Sequence, residues 1–262
     1  MVPNSKPDVL VIVGPTASGK TELAIQLAER LPAEIISADS RYFYRSLNIG
    51  VSKPTPEERS RAVHHLINTT DLGEPWSLAR FQEEVARRIP EIGAKGRLPI
   101  ITGGTGQYLR AILQGWRGPE LEADEAFRTA IEHWGEEVGS EALLEKLGRV
   151  DPAAVEKMDH RNVRRTVRAW EVILRSGRLF SEQRKRGESP YNVLTVGLVW
   201  PREVLYERID WRIQRMLDAG LVEEVKDLIS SGRREYIERM GIIGYNEILG
   251  YLDGESSLEE AI

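Results

Sequence analysis

Val9 to Val13 is an unbroken apolar run, and past a glycine-rich stretch Leu23, Ala24, Leu27, Ala28 and Leu31 fall on one helical face. So short a run reads as a strand buried on both faces, and the spacing after it predicts a helix over 21–31. Two more short runs, Glu34 to Ala38 and Leu98 to Thr102, lead into polar or glycine-rich residues and are separated by helical pattern. A fourth, Val193 to Trp200, is rich in β-branched residues and returns the chain to the same layer. Strands alternating with helices predict an α/β fold on a doubly wound parallel sheet.

Between Gly115 and Tyr191 no run reads as a strand. The pattern predicts short helices over Asp124 to Glu136, Ser140 to Gly148, Asp151 to Lys157 and Arg161 to Ser176, the third opened by an Asp-Pro start signal. The chain therefore divides into a core of residues 1–114 and 192–262 and an all-helical insertion of residues 115–191. In the returning part, Leu205, Ile209, Ile213 and Met216 recur at helical spacing within Pro201 to Asp218, and Leu221 to Ile229 and Ile243 to Leu252 are also expected helices.

Among 262 residues, 41% are hydrophobic and 29% charged, which excludes a disordered tail and a membrane bundle. Apolar runs fall far short of the roughly 20 residues that span a bilayer, and Met1 to Asp8 lacks a signal-peptide layout. There is no cysteine, so thiolate metal sites and a cysteine nucleophile are excluded, and a cytoplasmic location is expected. The formal charge of -5 restricts any nucleic-acid surface to a local patch. Adjacent His64 and His65 offer poor chelating geometry, and the tryptophans read as packing residues, with Trp76 and Trp116 near expected sheet-edge loops.

One such patch stands out. Arg161 to Glu188 carries nine Arg or Lys against three Glu. On its helix, Arg161, Arg164, Arg165, Arg168 and Arg175 share one face while Val163, Val167, Trp170 and Leu174 share the opposite one. One side is expected to pack and the other to meet phosphates, or to be merely solvated.

Gly14, Pro15, Thr16, Ala17, Ser18, Gly19, Lys20 and Thr21 fit the G-x-x-x-x-G-K-[ST] phosphate loop, with a buried strand before it and an amphipathic helix after it. Such a loop turns successive N–H groups inward at a helix N-terminus, with Lys20 as a point charge and Thr21 placed to hold Mg2+. The fold is thus expected to be P-loop NTPase-like. A typical NTPase would end a later strand in a metal-holding acid, but Leu98 to Thr102 runs into Gly103-Gly104-Thr105-Gly106. The acid instead ends the second strand, as Asp39, at the carboxyl edge where parallel-sheet sites gather.

With these blocks in hand, the sequence resembles the tRNA dimethylallyltransferase (tRNA isopentenyltransferase) family. The resemblance rests on GPTASGKT at Gly14, SADSR at Ser37, IGVSKP at Ile49, HHLI at His64, GGTGQYLRA at Gly103, RRTVRAWEV at Arg164, RIDWRIQRM at Arg208, GLVEEV at Gly220 and IGYNEILGYLDGESSLEEAI at Ile243. It implies transfer of a dimethylallyl group from dimethylallyl diphosphate to N6 of the adenosine next to the anticodon, position 37, in the tRNA anticodon stem-loop. Asp39 is then the general base, with an N-cap or Mg2+ partner as its alternative. Lys20, Mg2+ on Thr21 and Arg212 serve the leaving diphosphate, and Thr105 donates near the departing oxygen unless it is a plain helix N-cap. The implied tRNA contacts are Asp39, Ser40, Arg41, Tyr42, Thr105, Arg128, Arg164, Arg165, Thr166, Val167 and Arg168, with the target base drawn out of its stack.

Two departures from the family pattern fall near these residues. Tyr42-Phe43 replaces a usual Gln-Val, so that a polar base contact is replaced by stacking or lost, and Val51 replaces a usual threonine. Family members also usually continue past the position of Ile262 with a basic helix. A monomer is expected. The rival readings are a P-loop small-molecule kinase, an adenylate isopentenyltransferase and a catalytically impaired tRNA-binding homologue.

Overall fold

The structure is a computed structural model that describes residues 6–262 except 75, 117, 120, 157 and 184–186. The chain separates into two units, one of residues up to Ile112 together with Ser189–Ile262, the other of Leu113–Glu188.

In the first unit, β1 (Val9–Val13) leads through the phosphate loop into α1 (Lys20–Arg30), and β2 (Ala33–Ser37), α2 (Pro56–Arg61), β3 (His64–His65), α3 (Leu78–Ala94), β4 (Leu98–Thr102) and α4 (Gly106–Gln114) follow. Val9, Val11, Ile12, Ile36, Ile100 and Ile101 are fully buried, which is why these runs show no polar alternation. In the second unit come α5 (Glu125–Val138), α6 (Ser140–Val150), α7 (Pro152–Val155) and α8 (Val163–Ser176). The chain then returns to the first unit with β5 (Val193–Gly197), α9 (Arg202–Asp218), α10 (Leu221–Ser230), α11 (Arg234–Met240), α12 (Tyr245–Leu252) and α13 (Leu258–Ala261).

The five strands form one parallel sheet in the order β3-β2-β4-β1-β5. β1 lies between β4 and β5, in register Ile12 to Thr102 and Val13 to Gly197, so the phosphate loop leaves the carboxyl edge flanked by the ends of both neighbours. That is the P-loop arrangement of a doubly wound sheet, with the crevice outside the carboxyl ends available to a ligand.

Several boundaries differ from the sequence pattern. β2 ends at Ser37, so Asp39 sits in the turn after the strand rather than on it. β5 ends at Gly197, leaving Val199 and Trp200 in the connection to α9. The α12 helix starts at Tyr245 and Ile243 before it is exposed. In the second unit, Asp151 caps α7 through the Ala154 N–H, and the expected helix end at Lys157 lies outside the described residues. α8 starts at Val163, capped by the Asn162 side chain, so Arg161 precedes it. Leu174, expected to pack, is exposed; the helix buries Thr166, Val167, Ala169, Trp170 and Ile173 instead, because its apolar centre is rotated away from Leu174. Among the described residues no helix is long and apolar enough to cross a membrane.

Candidate active site

The loop between β1 and α1 is shaped by Ala17, a non-glycine residue at φ 61°, a left-handed conformation that costs an L-residue about 1–2 kcal/mol. The Ser18 N–H lies 3.3 Å from the Pro15 carbonyl, and Lys20 Nζ donates to that same carbonyl at 2.7 Å and to Gly14 O at 3.0 Å. Lys20 therefore folds over the concave side of the loop. Burial lowers its pKa, the Arg212 guanidinium nearby adds to that, and the Asp39 carboxylate opposes both. The three charged groups named from the sequence thus share one locality in the first unit.

Asp39 is fixed by its neighbours. Its carboxylate accepts the Arg41 N–H at 3.0 Å and the Gly104 N–H at 3.2 Å. Thr105 ties the same two turns together, accepting the Ser40 N–H on Oγ1 at 2.9 Å and donating its own N–H to Ala38 O at 3.1 Å. So close an approach needs glycine, since a Cβ on Gly103 would lie 2.3 Å from the Ala38 carbonyl oxygen and one on Gly104 2.9 Å from Asp39 Oδ2. The Arg41 guanidinium reaches Met240 O at 3.0 Å, which anchors the Asp39 turn to the end of α11.

Tyr42 belongs to the same group. Its hydroxyl donates to Ser52 O at 2.7 Å, and loss of solvent raises its pKa, with Asp39 reinforcing the shift and Arg212 opposing it. Phe43 is fully buried, stacked on Trp76 with centroids 4.2 Å apart, and tilted against Phe81 and Tyr108. The expectation that this departure supplies base stacking therefore fails for Phe43, whose ring is enclosed by protein. Val51 is likewise buried, beside Leu47, Val225 and Tyr245.

Three further sequence blocks meet in one knot. The Glu224 carboxylate accepts the N–H groups of Asn48, Ile49 and Gly50 at 2.9 to 3.1 Å and the Tyr245 hydroxyl at 2.6 Å. A Cβ on Gly50 would strike the Tyr245 ring at 2.5 Å. Lys53, pushed down to about 8 by burial, donates to Tyr44 O, Asn48 Oδ1 and Asn68 Oδ1. This knot fixes the segment that carries Ser52, and Ser52 receives Tyr42.

The second unit holds its own buried ion network. Glu171 is fully buried and accepts Arg168 at 2.6 Å, Arg128 at 2.9 Å, Arg175 at 3.3 Å and the Asp124 N–H at 2.8 Å. Burial alone would raise this carboxyl, but the bonds from Arg168, the Asp124 amide and Arg128 outweigh it and hold the pKa below the ordinary range. Arg128 and Arg168, expected to meet RNA, thus face a protein carboxylate. The Thr166 and Val167 side chains, also expected to meet RNA, are buried. Arg161 pairs with Asp159 in the turn before α8. Arg164 is exposed and Arg165 half-buried on the helix surface, while Arg184, Lys185 and Arg186 of the basic segment lie outside the described residues.

The IPP transferase family model matches residues 42–262, and the isopentenyl transferase model matches residues 7–74. The tRNA dimethylallyltransferase of Thermomicrobium roseum is 46% identical over 259 residues, covering 99% of this chain and 79% of that protein. The chain belongs to the tRNA dimethylallyltransferase family. The corresponding protein of Roseiflexus castenholzii is 45% identical, covering 97% of this chain and 83% of its own length. Among solved structures, the full-length tRNA isopentenylpyrophosphate transferase of Bacillus halodurans matches with a TM-score of 0.67 at 40% identity, over 98% of this chain and 80% of that one. A eukaryotic dimethylallyltransferase, crystallised in snapshots of its action on tRNA, matches with a TM-score of 0.76 at 29% identity, over 97% of this chain and 64% of that one.

In this tRNA dimethylallyltransferase family member the loop keeps polar groups that the protein itself does not satisfy. The Ser18 and Thr102 hydroxyls are buried with no partner in the protein, polar groups left over beside the loop. Among the described residues no cluster of three acids, histidines or cysteines could hold a metal alone. The Thr21 side chain, expected to hold the metal, lies within hydrogen-bond reach of the Tyr42 hydroxyl. His65 serves the sheet instead, with Nε2 2.6 Å from the Glu34 carboxylate that Lys95 and Arg97 also reach.

Two residues contact the loop through its backbone, which the sequence does not show. Arg208 Nε donates to Ala17 O at 2.7 Å and Trp200 Nε1 to Ser18 O at 2.9 Å, with the guanidinium 4.8 Å from the indole centroid. Arg208 shares a helix face with Arg212 and Arg215, spacing that offers one of them to the phosphates, and the tryptophans read as packing residues; in the structure Arg208 and Trp200 instead bind the backbone of the loop. Neither spacing nor local pattern announces a contact across 182 or 191 positions; the one available signal was an arginine and a tryptophan just past the strand that lies beside the loop.

Proposed function

We propose that this chain transfers the dimethylallyl group of dimethylallyl diphosphate to N6 of the adenosine at position 37, next to the anticodon, in tRNA, releasing diphosphate. The observation that carries this reading is the fixed pair of turns at the carboxyl edge, where Asp39 and Thr105 are locked together beside the phosphate loop. A kinase would need an acid at the end of β4 for its metal, and Thr102 stands there.

The lone pair of N6 attacks the allylic C1 as the bond from C1 to the diphosphate oxygen breaks, the electrons leaving on that oxygen. Asp39 takes the N6 proton. Its carboxylate is held by two backbone amides, so it waits in one orientation. The loop amides, Lys20 and Arg212 stabilise charge building on the diphosphate, and the Thr105 hydroxyl donates at the departing oxygen. Thr21 would hold Mg2+, which when bound would supply positive charge against the diphosphate.

Residues of the helical unit, above all Arg164 and Arg165, contact the anticodon stem, with Arg41 and Tyr42 near the extruded base. The buried Thr166 and Val167 hold the helix rather than the RNA, and Arg128 and Arg168 orient its surface through Glu171. The test is incubation with dimethylallyl diphosphate, Mg2+ and an anticodon stem-loop, read by the mass of the target adenosine.

A further inference from the structure

A trans peptide unit points the carbonyl of one residue and the N–H of the next in opposite directions. At the apex of the phosphate loop the two carbonyls of Ala17 and Ser18 are each bound from one flank, by Arg208 and Trp200 respectively. The N–H groups of Ser18 and Gly19 must then turn to the other flank. The Ser18 N–H is taken up inside the loop by the Pro15 carbonyl that Lys20 also reaches, so the amide this arrangement presents is that of Gly19. Ala17 sits at φ 61°, and a strained backbone of this kind persists only where its surroundings hold it. The guanidinium of Arg208 lies over the Trp200 ring, so each donor steadies the other.

We propose that Trp200 and Arg208 are positioning residues that fix the Gly19 amide of the phosphate loop toward the diphosphate by holding the Ala17 and Ser18 carbonyls on the opposite side. This inference rests on the reading of the loop as the diphosphate site. Neither residue touches substrate. They act before binding, by making the cradle ready, and so their removal weakens diphosphate binding and leaves later steps alone.

The experiment is calorimetric titration of the full chain with inorganic pyrophosphate in the presence of Mg2+. Trp200→Phe keeps the ring and loses the donor. It should weaken pyrophosphate roughly 3- to 10-fold, the range of one hydrogen bond. Arg208→Gln should weaken it further, Arg208→Lys should restore part of the loss, and the double variant should lose less than the product of the single effects. The KM for dimethylallyl diphosphate should rise in step while kcat and stem-loop affinity stay within about twofold of the parent, a split that a general loss of structure would not give. Tyr206→Phe, which breaks the Arg202 to Tyr206 contact one turn away from the loop contacts, is the control and should leave pyrophosphate affinity unchanged. Parent-like pyrophosphate affinity in both Trp200→Phe and Arg208→Gln overturns the proposal. A parent that fails to bind pyrophosphate overturns it together with the loop assignment. A parent that binds pyrophosphate but transfers nothing overturns the transferase reading alone, and the variants' pyrophosphate affinities still decide the clamp.

Discussion

Thr105 Oγ1 accepts the Ser40 N–H at 2.9 Å, and the Thr105 N–H returns a bond to Ala38 O, so the turns after β2 and β4 behave as one rigid piece. The threonine thus has a structural duty beside the chemical one. Thr105→Val removes the oxygen and keeps the shape. Its kcat should fall roughly 10- to 100-fold, as the turn loosens and a donor to the leaving oxygen is lost. Thr105→Ser should recover most of it, and steady-state kinetics of the pair checks this. Equal losses in both variants would remove the hydroxyl from the account.

Asp39→Asn retains oxygen and shape but cannot accept a proton. Turnover should drop about 100-fold or more, the usual loss for a general base, with stem-loop affinity little changed. Single-turnover measurement at saturating substrate isolates this step. Unchanged turnover would assign the Asp39 carboxylate to the turn alone.

The arginines of the helical unit should separate into two classes. Alanine at both Arg164 and Arg165 should weaken stem-loop binding and reduce the slope of log K against log salt by roughly 1–2. Arg128→Ala should instead lower the melting temperature, because it strips a donor from the buried Glu171 carboxylate. Filter binding across a salt series and thermal melts distinguish the classes, and a salt slope unaltered in the Arg164 and Arg165 variant would show that surface to be merely solvated.

Glu171 gives the helical unit a pH signature. Its folded-state pKa lies below the ordinary glutamate value near 4.5, so the stabilisation is complete above that value and is lost as pH falls through the folded one. Glu171→Gln should therefore cost about 3 kcal/mol at pH 7, and progressively less as pH falls through the folded-state pKa of the parent carboxyl. Urea titrations at pH 7 and at successive steps down into acid check this; a difference independent of pH would show that the charge on Glu171 does not matter.

The sheet was legible because buried parallel strands leave unmistakable apolar runs, as at Val9–Val13 and Leu98–Thr102. Asp39 and the phosphate loop were legible because a strand end and a fixed spacing mark them. Glu171 was not. A single acid on an arginine-rich helix reads as solvated, although Arg168 at i−3 and Arg175 at i+4 were the available hint. Leu174 misled for a related reason, since a four-residue stripe does not say which neighbouring rows complete the buried face. The Glu224 knot and the Trp200 and Arg208 contacts join segments far apart in sequence, and no local period encodes such pairings.

The most direct measurement of prenyl transfer to tRNA is mass spectrometry of nucleosides from an anticodon stem-loop incubated with the chain, Mg2+ and dimethylallyl diphosphate. One dimethylallyl group is expected on the adenosine next to the anticodon, and none when Asp39→Asn replaces the parent in a short incubation. Unmodified adenosine from the parent, with pyrophosphate and stem-loop both bound, would contradict the proposed transfer.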